Sequence, residues 1–516
     1  MTRNNAKEIH LPGSKSISNR ALILAYLHGA PFKNIYGLSD SRDTQLLLNA
    51  LRQLESDSNE ESDTKEVIPT FDFLDAGTPS RFFLTLCAVL GKPCIITGNE
   101  SLQNRSIESL VDVLSFGGCK IQYVNQYGFF PVQLLPRENY NNIATNRLKF
   151  AINRSISSQF VSAIMLISCS LMSRLKNNAI SNSVHENRIP NSDSIFSTEL
   201  NCHDSSQTQN YCVEIELLGH SHSDSYIKMT ASVMRDFGYQ IEFRDQTIFI
   251  SGDYNGKQEY TVEADWSSLS YFLNQMLVQD SNSEISFKYL RMDSYQGDRK
   301  MISFYEELGL EFEFKMDQLL VRRNSNLNNP NQSKNLQSAF ENKEAEVPFP
   351  EILHENSNHP TTQTDKFDFD WDLGDIPDTV PSLVAALVIL KKSAYLRNIH
   401  NLIYKESNRI AVLNENLTRF GFQLIQDSQW PNNYFLNSMP TQLNSFQSDL
   451  NLPNLPFRTC SDHRMAMTFA SITNFTVGFT NNSTHKLEEF SQWVDDVDCV
   501  EKSFPQFWKE FQKLGS

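Results

Sequence analysis

Leu11-Pro12-Gly13-Ser14-Lys15-Ser16-Ile17-Ser18-Asn19-Arg20 decides how this chain is read. A turn of small residues, Gly13-Ser14, runs straight into the apolar stretch Ala21-Leu22-Ile23-Leu24, so a helix begins at Lys15 or Ser16. Ser16 and Arg20 are four apart and share one helical face, with Lys15 at the helix mouth. Gly13 permits close backbone approach. Positive side chains in a first turn oppose the helix dipole by about 0.3–1 kcal/mol. A bound anion reverses that penalty by taking the free N–H groups and the cations together. The spacing is not that of a P-loop. The segment reads as a clamp for a phosphate or carboxylate.

The same motif of a polar cluster opening an apolar helix recurs five more times. It stands at Ala76-Gly77-Thr78, Ser155 to Gln159, Asp265 to Ser268, Asp375 to Asp378 and Cys460 to Arg464. Intervals of roughly 60 to 110 residues predict a degenerate internal repeat. Arg81 and Arg464, like Lys15 and Arg20, fall in or near first turns. Lys405-Glu406-Ser407-Asn408-Arg409 opens a further helix, with Lys405 and Arg409 on one face. Asp378 is a carboxylate among many cations and a candidate general base.

The length, 516 residues, requires more than one core. Net charge is −16, which excludes a general nucleic-acid binder and makes the local clusters of Lys and Arg informative. The apolar runs Phe160 to Met172 and Leu383 to Leu390 are too short to span a membrane. No apolar stretch follows the charges of Met1 to Lys7, so no secretory leader is expected. The eight cysteines show no CxxC spacing, which predicts reduced thiols in the cytoplasm and no metal site. Four polar stretches read as insertions, at 55–70, 177–210, 324–366 and 426–455.

Taken in order, these segments resemble the 5-enolpyruvylshikimate-3-phosphate (EPSP) synthase family. The resemblance is carried by LPGSKSISNR (11–20), DAGTPSR (75–81), SLQNRSIESLVDVL (101–114), SISSQF (155–160) and SDSYIKMT (223–230). It continues through DWSSLSYFL (265–273), QGD (296–298), DIPD (375–378), KESNR (405–409), SDHRMAM (461–467) and EKSFPQFW (501–508). It implies an α/β protein of two similar domains, each of three βαβαββ units, as an inverse α/β barrel with a cleft between them. The implied domains are 15–263, and 1–14 together with 264–516. The implied reaction moves the enolpyruvyl group of phosphoenolpyruvate onto the 5-hydroxyl of shikimate 3-phosphate, in a monomer that needs no cofactor and no metal.

By matching position, shikimate 3-phosphate falls to Lys15, Ser16, Arg20, Ser157, Ser158, Gln159, Ser223, Tyr226, Asp378, Asn401 and Lys405. Phosphoenolpyruvate falls to Lys15, Gly77, Arg105, Gln159, Arg409, Arg464 and Lys502. Asp378 is the implied base, with Lys15 and Glu406 handling the proton at the enol carbon. The chain departs from the family pattern at Asp75, Pro79-Ser80, Asn408 and Asp224-Ser225. Asp75 is the sharpest departure, because a carboxylate there repels an anion unless it is paired. The sister transferase acting on UDP-N-acetylglucosamine differs in its Asn after the helix-mouth Lys and in a loop cysteine, neither present here. A non-catalytic descendant of the same fold is the rival of a different class.

Overall fold

The computed structural model describes residues 6–57, 68–136, 147–154, 157–183, 211–219, 224–279, 283–315, 318–323, 367–439, 456–477 and 490–515. The chain opens with strand β1 (Lys7–Ile9), helix α1 (Lys15–His28), strand β2 (Ile35–Tyr36) and helix α2 (Arg42–Asp57). Next come β3 (Thr70–Asp72), α3 (Gly77–Leu90), β4 (Cys94–Thr97), α4 (Glu100–Gln103), α5 (Glu108–Phe116), β5 (Ile121–Tyr123) and β6 (Val132–Leu134). The third stretch holds β7 (Arg147–Asn153), α6 (Ser158–Ser183), β8 (Cys212–Leu218), α7 (Asp224–Asp236), β9 (Tyr239–Arg244) and β10 (Thr247–Gly252). The fourth holds β11 (Tyr260–Thr261), α8 (Trp266–Met276), β12 (Glu284–Lys288), α9 (Met301–Glu307), β13 (Leu310–Lys315) and β14 (Gln318–Arg323). The fifth holds β15 (Phe369–Asp372), α10 (Val380–Ile389), β16 (Ala394–Arg397), α11 (Arg409–Leu417), β17 (Phe422–Gln426) and β18 (Tyr434–Ser438). Helices α12 (His463–Val477) and α13 (Phe507–Gln512) close the chain.

Four sheets share one topology: β3-β4-β6-β5, β7-β8-β10-β9, β15-β16-β18-β17 and β1-β12-β14-β13. In each, the first two strands run parallel across a helix and the last two form an antiparallel hairpin. The fourth sheet borrows its first strand from the N-terminus, pairing Lys7 with Ile285. The internal repeat read from the helix starts is therefore visible in the sheets. It is complete four times among the described residues. Elsewhere it is reduced to the two-residue pairing of β2 with β11 and to the isolated bridge Phe457–Val494.

Every residue of α8 and of α10 is buried. Helices apolar all round belong inside a core. Their few polar groups are matched to each other. Asn274 of α8 donates to Ser382 Oγ of α10 (3.1 Å) and Ser471 Oγ of α12 (3.0 Å), and accepts from Tyr305 OH (2.7 Å). In the strands, alternation does the same sorting: Val213, Ile215 and Leu217 of β8 point inward in turn. Two hydrophobic cores result. One draws on residues between Ile17 and Val262, the other on Ile9 and residues between Ala264 and Leu514.

Three of the four polar stretches need correction at their edges: in 55–70, helix α2 runs on to Asp57 and strand β3 begins at Thr70. Strand β18 lies inside 426–455, because Tyr434 and Leu436 alternate into the core at 4% and 0% exposure. Helix α6 runs on to Ser183, past the start assigned at 177. Residues 58–67, 184–210, 324–366 and 440–455 of those stretches lie outside the described residues.

The chain passes between the two cores at two adjacent points. Gly13 and Ala264 form a bridge, flanked by Ser14 N to Glu263 O (2.8 Å) and Asp265 N to Pro12 O (2.9 Å). Gly13 does allow close approach, but to protein backbone: a Cβ there would stand 1.9 Å from Gly37 O. Gly13→Ala is expected to destabilise the protein by about 1–3 kcal/mol or more, since backbone has to move. Thermal unfolding by circular dichroism checks this, and an unchanged midpoint would refute it.

Candidate active site

The helix starts divide into two kinds. At α1, α3 and α10 the preceding residues Ser14, Ala76 and Thr379 give no side-chain cap. At α8 and α11, Asp265 accepts from Ser267 N (3.2 Å) and Asn408 from Ala411 N (3.0 Å). At α12, Asp462 Oδ1 accepts from Arg464 N (3.0 Å). Uncapped N–H groups favour an anion. At α3 that preference is reinforced: a Cβ on Gly77 would stand 2.8 Å from Arg81 Nη1 and 2.9 Å from Arg105 Nη1. Two guanidinium groups thus converge over one helix mouth, in space that only glycine leaves open.

Neither arginine bonds a carboxylate among the described residues. Arg81 turns back to Gly77 O (2.9 Å), and Arg105 donates to Asp75 O (2.6 Å) and Ser101 O (3.1 Å). Burial, and then the Arg105 charge, lowers the pKa of Arg81 to about 9. Arg20 makes hydrogen bonds within the protein. Its guanidinium donates to Thr230 Oγ1 (2.7 Å), Ser16 O (2.7 Å), Tyr226 O (3.1 Å) and Ser162 Oγ (3.2 Å), bracing α1 against α6 and α7.

Opposite these stands an ion network around Arg409, which has no exposed surface. Its contacts are Glu406 (2.7 Å), Asp462 (2.8 Å) and Asp378 (3.2 Å). The face shared by Lys405 and Arg409 thus turns inward at Arg409. Asp378 also takes Arg464 Nη2 (2.8 Å) and the Tyr226 hydroxyl (2.6 Å). Tyr226 belongs to α7 of the first core and Asp378 precedes α10 of the second, so this bond joins the two. Ser225 Oγ adds a second link to Asp375 O (2.8 Å). Burial alone would raise the Asp378 carboxyl, but Arg464, Lys405 and Arg409 outweigh it and hold it well below the usual range. Glu406 behaves likewise: burial opposes, and Arg409 and Lys502 prevail.

Lys15 reaches Asp43 of α2 (3.1 Å). Lys502, with 1% of its side chain exposed, reaches Asp75 Oδ2 (2.6 Å). His463 is buried with both ring nitrogens unpartnered. Burial, then Lys15 and Arg464, keeps it neutral, well below its ordinary pKa.

The structure thus brings Lys15, Gly77, Arg105, Tyr226, Asp378, Lys405, Glu406, Arg409, Arg464 and Lys502 into contact or electrostatic range of one another. Ser157 Oγ caps α6 through Gln159 N (3.2 Å), and Ser158 is buried beside it. Asn401 Oδ1 is buried without a partner. Ser16 gives its carbonyl to Arg20. Ser223 lies outside the described residues. Sequence reasoning missed Asp43, Asp298, Asp462 and His463. The last two sit inside SDHRMAM, where adjacency to Arg464 was the available signal. Asp43 carries no local signal.

A cation-rich site with uncapped helix mouths, built where two repeat-derived α/β cores meet, defines a protein that binds more than one small anion. The chain belongs to the EPSP synthase (3-phosphoshikimate 1-carboxyvinyltransferase) family, whose model matches residues 2–186 and 208–511. It is 27% identical over 525 residues to the 3-phosphoshikimate 1-carboxyvinyltransferase of Haemophilus influenzae, covering 98% of this chain and 96% of the relative. The enzyme of the same name from Actinobacillus pleuropneumoniae is 26% identical over 527 residues, with the same coverage, 98% and 96%. In fold it resembles the EPSP synthase of Acinetobacter baumannii, at a TM-score of 0.56 and 15% identity over 99% of this chain and 96% of that one. Among the described residues no helix is long and apolar enough to cross a membrane.

Asp298 yields a pH prediction. It is 6% exposed and its Oδ1 has no partner. Burial, then the Asp378 charge, pushes its carboxyl up to about 8, with Arg464 and Lys405 opposing and Asp265 adding to the rise. The unfolded chain loses that proton near 3.8. Between those values the folded state binds more protons, so this group's contribution to stability falls as pH rises from about 4 to about 8. Asp298→Asn is expected to be more stable than the parent at the upper end, with the gap closing toward the lower. Urea unfolding at both ends checks it, and a gap independent of pH would refute the assignment.

Proposed function

We propose that this chain transfers the enolpyruvyl group of phosphoenolpyruvate to the 5-hydroxyl of shikimate 3-phosphate and releases phosphate. The observation that carries the reading is the convergence of Arg81 and Arg105 over Gly77, with Lys502, Arg409 and Arg464 grouped nearby around Asp75 and Asp378. Two multiply anionic substrates repel each other, and fixed cations in a water-poor site offset that repulsion. We take the two cores as two domains, 15–263 and 1–14 with 264–516, in the inverse α/β barrel arrangement of the family. Closure of the cleft between them brings the substrates together as a cytoplasmic monomer.

In this reading Lys15, Ser16, Arg20, Ser157, Ser158, Gln159, Ser223, Tyr226, Asn401 and Lys405 hold shikimate 3-phosphate. Lys15, Gly77, Arg105, Gln159, Arg409, Arg464 and Lys502 hold phosphoenolpyruvate. A proton reaches the enol carbon from Lys15, or from Glu406 once substrate anions draw Arg409 and Lys502 to themselves and raise its carboxyl, leaving positive charge on the adjacent carbon. The 5-hydroxyl oxygen bonds to that carbon and gives its proton to Asp378. The tetrahedral intermediate then returns a methyl proton to the group that supplied the first one, the carbon–phosphate oxygen bond breaks, and phosphate leaves. Asp378 without substrate is a weak base, because Arg464 and Arg409 hold its charge. Substrate anions draw those guanidinium groups to themselves and raise its basicity when the hydroxyl is in place.

The test is phosphate release from the two substrates, with loss required in Lys15→Ala and Asp378→Ala. Each is expected to lose about 10²–10⁴-fold in kcat while keeping a cooperative thermal transition. A well-folded parent that releases no phosphate sinks the enzyme reading and leaves a binding protein of the same fold. Near-normal rates in either variant sink the roles given to these residues.

A further inference from the structure

Asp75 stands two residues before the Gly77 that opens the anion-binding helix mouth, and it collects three cations from distant parts of the chain. Its Oδ2 is 2.6 Å from Lys502 Nζ and its Oδ1 is 2.9 Å from Arg42 Nη2. Its main-chain oxygen accepts from Lys502 Nζ (2.9 Å) and Arg105 Nη2 (2.6 Å). Lys502 comes from the second core, 427 residues away, and Arg42 from α2 of the first. The side chains of Lys502 and Asp75 are 1% and 12% exposed, whereas Arg42 is at 35%. The Lys502 pair is therefore close to fully desolvated, and Arg42 sits at its wet rim.

Burial alone would raise the Asp75 carboxyl, but Lys502 and Arg42 lower it below the ordinary range, so it is charged. It cancels one of the two positive charges beside it. Two of the cations it touches, Lys502 and Arg105, are those that the proposed function gives to phosphoenolpyruvate, and the inference rests on that reading.

We propose that Asp75 is a positioning residue that sets how tightly the phosphoenolpyruvate end of the site holds an anion. Its carbonyl aims Lys502 and Arg105 at the Gly77 mouth, and its carboxylate keeps the net positive charge there low. An entering phosphoenolpyruvate shares Lys502 with Asp75, and the departing phosphate meets less attraction than two uncompensated cations would exert. Arg42 acts in the opposite sense, by neutralising part of the Asp75 charge from the rim.

The division of labour is separable by mutation. Asp75→Asn keeps the main-chain contacts and the side-chain shape and removes only the charge. It is expected to lower the KM for phosphoenolpyruvate, and the inhibition constant of inorganic phosphate against it, by about threefold or more. The KM for shikimate 3-phosphate is expected to change by less than about twofold, as among the described residues no hydrogen bond or ion pair joins Asp75, Arg42 or Lys502 to Asp378 or Tyr226. Asp75→Glu, which keeps the charge, should leave phosphate inhibition nearer the parent than Asp75→Asn does. Arg42→Gln should raise both constants. A merely structural role predicts weaker binding in all three variants, and that outcome overturns the proposal. So does an Asp75→Asn variant of native thermal midpoint that binds phosphate no more tightly than the parent. If Asp75→Asn does not fold, Arg42→Gln decides alone: unchanged or tighter phosphate binding overturns the proposal. Calorimetric titration with inorganic phosphate reads these changes without turnover, so a parent that fails to release phosphate from the two substrates defeats the proposed function separately.

Discussion

Arg409 is a guanidinium with no water around it, and the site is organised by that fact. A charge in that position has to be matched at short range. Three carboxylates do so, from Glu406 on its own segment, Asp462 before α12 and Asp378 before α10. Losing one partner of such a buried group costs about 3–5 kcal/mol, so the three segments are tied together. Asp378 passes the tie on to Arg464 and, through Tyr226, to the first core. These cations and carboxylates thus hold one another across three segments and both cores.

The cations named for the phosphoenolpyruvate end, with Arg81, fall into two groups by their partners. Arg409, Arg464, Lys15 and Lys502 each bond a carboxylate. Among the described residues Arg81 and Arg105 bond only main-chain oxygens, which leave their charge uncompensated, and Arg81 Nε has no hydrogen-bond partner.

The departures from the family pattern have local explanations of the same kind. Asp75, suspect as a repulsive charge, is bracketed by Lys502 and Arg42. Asn408 caps α11. Asp224 pairs with the buried Arg154 (2.9 Å), and Ser225 bonds Asp375 O. Asp75, Asp224 and Ser225 meet partners distant in sequence, whereas Asn408 serves its own helix.

Much of the architecture was legible in the chain. Helix starts could be read at Lys15, Gly77, Ser158, Trp266, Val380 and His463, because small or polar residues stop a strand and an apolar run continues as helix. Their recurrence foretold the repeated sheet. Strand β18 was missed because Asn and Pro around it masked a short alternation. The identity of the cations was equally legible; their partners were not. Arg409 meets Asp462 across 53 residues, Arg464 meets Asp378 across 86, and Lys502 meets Asp75 across 427. Sequence by itself determined which residues carry charge and which helices they open, since those depend on neighbours along the chain. Only the tertiary structure decided which charge neutralises which, because buried ions are matched by proximity in space, and packing of the two cores sets that proximity.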